Sequence, residues 1–132
     1  MRKKQHKLRH QLFIGMCLFF FAFTIPPQTS PTCSCADKMT ALERGKSSIS
    51  GTVGQGDNNT KTKKAPVFLY RDNKLVAKTK SDNKGNYTFK NIPKGNYEIR
   101  VCLKSGENTC VSGVMVEENK TLFLNVFVSS NQ

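Results

Sequence analysis

Histidine is almost missing from this sequence. His6 and His10 are the only two, both within the first ten residues, so a product processed after that region has no imidazole for catalysis or for binding a metal. Acidic side chains are also scarce, 9 Asp and Glu against 21 Lys and Arg. They fall among the linker, the turns and outward faces, from Asp37 to Glu118. No nucleophile–base pair or metal-ligand cluster emerges from that scatter, so the reading is a non-enzyme without a cofactor or metal. Tryptophan is absent, and hydrophobic positions make up only 37% of the 132 residues. One small domain with an appendage fits, and a large enzyme does not. There is no long hydrophobic run either. Leu12 to Ile25 is 14 uncharged residues, short of the about 20 that a membrane-spanning helix needs.

That run has a distinctive setting. Arg2, Lys3, Lys4, Lys7 and Arg9 precede it without an acid, and Pro26 and Pro27 follow. A cationic head and a short apolar stretch make the layout of a secretory signal. Residues 1–32 therefore read as a signal helix and processing region, with cut sites open near Ala22/Thr24, Ser30/Thr32 and Ser34/Ala36. Export follows, whether secreted, periplasmic or at the cell surface, with membrane contact only through this segment if it stays uncleaved. Of the net +12, five charges belong to this head; the remaining 16 bases and 9 acids leave a net +7.

Export changes how cysteine is read, because disulfides persist in oxidising compartments. Cys17 leaves with the signal. Cys102 and Cys110 flank LKSGENT, a stretch suited to a hairpin turn, and are expected to face each other and pair, a closure worth about 2.5 kcal/mol. Cys33 and Cys35 form a second candidate pair. A bridge between them would be a strained ring, so pairing with another chain or a redox or metal role stays open.

Residues 47–128 alternate apolar and polar positions in short segments, with turn residues at intervals near ten, the pattern of a sandwich of hairpins. Seven strands are expected: SISGTV, APVFLYR, KLVAKTK, NYTFK, NYEIRVCL, CVSGVMVE and KTLFLNVFV. Gly54 to Lys64 reads as a mobile loop. Asp72-Asn73 reads as a tight hairpin turn, and Gly85 as a position that takes positive φ. Residues 33–46 read as a linker or short helix whose Met39 and Leu42 cover Phe123 and Phe127.

At SDNKGNYTFKNIPKGNYEIRV the chain shows Asp82, then Gly85-x-Tyr87-x-Phe89, a Pro93/Gly95 turn and Tyr97 two residues on. With Gly51 in the opening ISGTV, this pattern resembles the carboxypeptidase regulatory-like domain family. The resemblance implies an all-β, seven-stranded antiparallel prealbumin/immunoglobulin-like sandwich. It also implies a non-catalytic module of exported, cell-surface or envelope proteins. Among related sandwiches, an isopeptide bond needs a Lys on the first strand, and SISGTV has none. Calcium-binding relatives draw attention to Asp82, Asn83 and Asn86, which in such turns ordinarily bond the local backbone.

The functional reading is an exported structural or interaction module at the envelope or outside the cell, its partner a protein or a cell-envelope polymer and not nucleic acid. The alternative is an electrostatic binder of anionic polymer or membrane surface through Lys61, Lys63 and Lys64, with Lys78, Lys80 and Lys90 sharing an outer face. A third reading takes Cys33-Ser34-Cys35, which resembles the start of netrin-like metalloproteinase inhibitors, as a zinc-chelating N-terminus.

Overall fold

A computed structural model describes residues 33–35 and 38–129; the signal segment expected at 1–32 lies outside the described residues. Nine strands form there and pack as two sheets. They are β1 (Ser47–Gln55), β2 (Thr60–Lys61), β3 (Pro66–Arg71), β4 (Lys74–Lys80), β5 (Asn86–Ile92), β6 (Gly95–Cys102), β7 (Asn108–Val116), β8 (Thr121–Phe123) and β9 (Val126–Val128). One sheet runs in the order β4–β3–β6–β7, antiparallel throughout. The other is centred on β1, with β5 and β2 antiparallel to it and β8 and β9 parallel to it.

Alternation places the core between the sheets. Ile49, Val53, Val67, Leu69, Ile99 and Val101 have no exposure, and Val126 and Val128 have 1%. The turns follow local chemistry. Asp72 and Asn73 both have positive φ, 51° and 61°, as the two central residues of a hairpin turn with the right twist require. Gly85 has φ 81°.

The sandwich differs from the expected one in three ways. First, there are nine strands in place of seven, and two of them are parallel to β1. The expected mobile loop folds back as β2, pairing Gly54 with Lys61 and Gln55 with Thr60. The expected last strand divides at Leu124–Asn125, where the side chain of Asn125 replaces a backbone acceptor and takes the Thr52 N–H at 3.0 Å.

Second, no helix forms among the described residues of the linker. Met39 bridges Leu75 in parallel, and Thr40 N donates to the Leu75 carbonyl at 2.7 Å. The segment thus covers the edge of β4, satisfying backbone groups that a one-turn helix would leave exposed. Third, that placement takes Met39 to the other sheet, so it does not cover Phe123 and Phe127. Leu42 packs against the core instead, and the two phenylalanines are 78% and 52% exposed.

Candidate functional site

The motif residues Gly51, Tyr87, Phe89, Pro93, Gly95 and Tyr97 build a scaffold. Tyr87 and Phe89 point into the core from β5, with ring centroids 6.0 Å apart in an edge-on arrangement. The Tyr87 hydroxyl donates to the Leu124 carbonyl at 2.6 Å, and burial raises its pKa above the ordinary value. A Cβ at Gly51 would overlap that same carbonyl, so glycine is what lets the β8–β9 break lie against β1. Tyr97 closes the Pro93 turn, its hydroxyl donating to the Pro93 carbonyl at 2.6 Å, while Gly95 lies beside the Arg71 guanidinium. Asp82 accepts from the Lys84 and Asn86 amides at 2.8 and 2.9 Å. Those amides, that of Asn86 foremost, hold its carboxyl below the usual range.

The scaffold presents a face. On the outer side of the β1 sheet, Ser48, Ser50, Thr52 and Gly54 form a central column of small residues. Register sets Thr121, Phe123 and Phe127 beside Ser48, Ser50 and Gly54 on one flank. Thr88, Asn86 and Lys61 stand beside Ser50, Thr52 and Gly54 on the other. The column's hydroxyls bond sideways, Ser48 with Thr121 at 2.8 Å and Ser50 with Thr88 at 3.1 Å. Thr52 donates to Asn125 Oδ1 at 3.1 Å and receives Lys61 Nζ at 3.2 Å. The result is a shallow trough with a low polar floor and an aromatic flank. Its deepest part, about 250 Å³, lies among Ser50, Thr52, Asn86, Thr88, Phe123 and Asn125.

The cysteines depart from the expected pairing. Cys102 and Cys110 are not joined: Cys33 bonds Cys110 and Cys35 bonds Cys102, with Cα separations of 5.8 and 6.4 Å. Register is the reason, since Cys110 sits opposite Arg100 and Cys102 opposite Asn108. The two are therefore diagonal on one face, about 7–8 Å apart in such a ladder, beyond ordinary disulfide reach. An extended Cys-x-Cys tripeptide spans a similar diagonal. Between its two cysteines the Ser34 carbonyl accepts from Arg100 at 2.7 Å, and the Cys33 carbonyl accepts from Asn108 at 3.0 Å. The Cys33 and Cys35 thiols are thus both consumed in bridges.

The sequence profile described as the carboxypeptidase regulatory-like domain matches residues 48–129, a span that includes almost all of the sandwich. The chain belongs to this family. No curated protein matches the sequence. Among solved structures, this carboxypeptidase regulatory-like chain is similar to a protein from Bacteroides uniformis described as a candidate carbohydrate-binding protein. The two share 12% identity over 64% of this chain with a TM-score of 0.53, and the match spans only 41% of that protein. It is also similar to the 5-hydroxyisourate hydrolase of Klebsiella pneumoniae, at 16% identity over 67% of this chain and 89% of that one, with a TM-score of 0.50. At these identities the likeness shows a shared prealbumin-like fold.

In this carboxypeptidase regulatory-like domain the six lysines of the electrostatic reading come from four segments. Lys61 leans over the trough on β2, and Lys63 and Lys64 lead into β3. Lys78 and Lys80 stand opposite Phe68 and Pro66 on the other sheet, while Lys90 belongs to β5. Sequence reasoning missed the trough residues Ser48, Ser50, Thr52 and Thr88. Their only signal was the polar half of the alternation in β1 and β5, which reads as an ordinary solvated face.

Proposed function

We propose that the chain is an exported, non-catalytic binding module that holds an extended polysaccharide of the cell envelope or its surroundings along the β1 trough. The observation that carries this reading is Phe123, 78% exposed at the edge of a hollow whose other lining residues are Gly51 and Tyr87 with the polar Ser50, Thr52, Asn86, Thr88 and Asn125. An apolar ring rimmed by polar groups marks a partner site, and that combination suits a sugar, whose C–H face stacks on the ring while its hydroxyls meet the rim. From Ser48 to Thr52 the floor extends about 13 Å at strand rise, with Asn59 and Phe127 closing it over Gly54, a length that favours a few linked sugars over a single small molecule. The description of the Bacteroides protein supports the ligand class. The family match supports a non-catalytic role, and two disulfides support an oxidising destination.

Co-sedimentation with insoluble cellulose, chitin and peptidoglycan tests the reading. Retention on at least one polymer is expected, and the paired Phe123→Ala and Phe127→Ala changes should weaken it roughly tenfold, about 1.4 kcal/mol. Retention unchanged by both substitutions, or release of soluble sugar from the polymer, would overturn it.

A further inference from the structure

A second hollow lies on the opposite sheet, at the end of β3 and β6 away from the disulfides. It encloses about 240 Å³, and its polar lining comes from Asp72, Asn73, Asn96, Glu98, Ser112 and Gly113. Three rigid features hold these groups in place. The Asp72-Asn73 turn is fixed in left-handed backbone conformation at both residues. On β7 the register slips between the pairs Tyr97/Val114 and Ile99/Val111, and Gly113 has φ 70°. Ser112 and Gly113 therefore bulge opposite Glu98, a device that re-aims side chains and opens a sheet locally. Glu98 itself is held from both sides, by Arg100 Nε at 2.5 Å and by the Ser112 hydroxyl at 3.3 Å.

Charge narrows the ligand. Two carboxylates reach the hollow, and one of them is already met within the fold: Arg100, which lies 3.8 Å over the Tyr70 ring, pairs with Glu98. A cation would meet the Arg100 guanidinium, and an anion would meet the carboxylates. What remains is a convergent set of acceptors and amide donors on several sides of one compact space, which matches a neutral ring carrying several hydroxyls. We infer that this hollow binds one neutral sugar residue, free or at the end of a glycan, independently of the trough.

Amide chemical-shift mapping of the disulfide-bonded chain against glucose, galactose, mannose and N-acetylglucosamine decides the matter. At least one sugar should move the Asn73, Asn96 and Gly113 resonances saturably. The double variant Asn73→Gly with Ser112→Ala removes two ligand groups while leaving the turn a residue suited to its φ. It should keep the melting temperature and weaken binding roughly 25-fold, the size of two neutral hydrogen bonds. Phe123→Ala should leave these shifts unchanged. The inference falls if no neutral sugar moves the three resonances, if binding survives the double variant, or if only glucosamine or calcium chloride moves them. Loss of the shifts in Phe123→Ala would assign sugar binding to the trough alone and overturn the inference.

Discussion

One carbonyl, that of Leu124, organises much of the chemistry at the residue scale. It accepts from the Tyr87 hydroxyl and occupies the space where a Gly51 side chain would stand. Gly51→Ala should therefore cost on the order of 3 kcal/mol, since backbone must move on both strands; the urea midpoint reads the loss. Tyr87 gives a second prediction, from alkaline pH. Burial raises its pKa, so the folded chain keeps a proton that the unfolded chain releases. Its contribution is whole below about pH 10, the ordinary tyrosine value, and declines as pH rises above it. Tyr87→Phe should flatten the fall of melting temperature above that pH. An equally steep fall in the variant would contradict the assignment.

At the scale of elements, each hairpin stands on turn residues whose conformation is set by neighbours in sequence. The β3–β4 turn places Asn73 at φ 61°, where a β-branched side chain is costly. Asn73→Val should destabilise by roughly 1–2 kcal/mol, whereas Asn73→Gly should be close to neutral; thermal melts of the pair separate the two. The β8–β9 break is the contrasting case. Leu122, Leu124, Val126 and Val128 alternate as one strand would, and nothing local marks the interruption. It exists because Asn125 bonds Thr52, a residue 73 positions away.

At the scale of the whole molecule, the two disulfides tie a nonregular segment to the outer face of β6 and β7. Their sequence separations of 77 and 67 close far longer loops than a hairpin bridge would. The first to form removes about 4 kcal/mol of chain entropy from the unfolded state in the loop-closure model. The variant with all four bridging cysteines changed to Ser should lower the denaturant midpoint by a comparable fraction of total stability. Non-reducing peptide mapping should recover Cys33 with Cys110 and Cys35 with Cys102. A Cys102–Cys110 peptide would contradict this arrangement.

Short-range patterning dictated β1 and β3 to β7, their inward faces and the turns at Asp72-Asn73 and Gly85. These depend on alternation and on φ preferences, properties that act over a few residues. It also carried the family pattern from Asp82 to Tyr97. Packing between distant segments alone decided which cysteines meet, that β8 and β9 run parallel to β1, and that Phe123 and Phe127 stay uncovered beside a polar floor. Those outcomes depend on register between strands distant in the chain. A shift of one residue reverses which face a side chain occupies, and a shift of two moves a thiol out of bonding range.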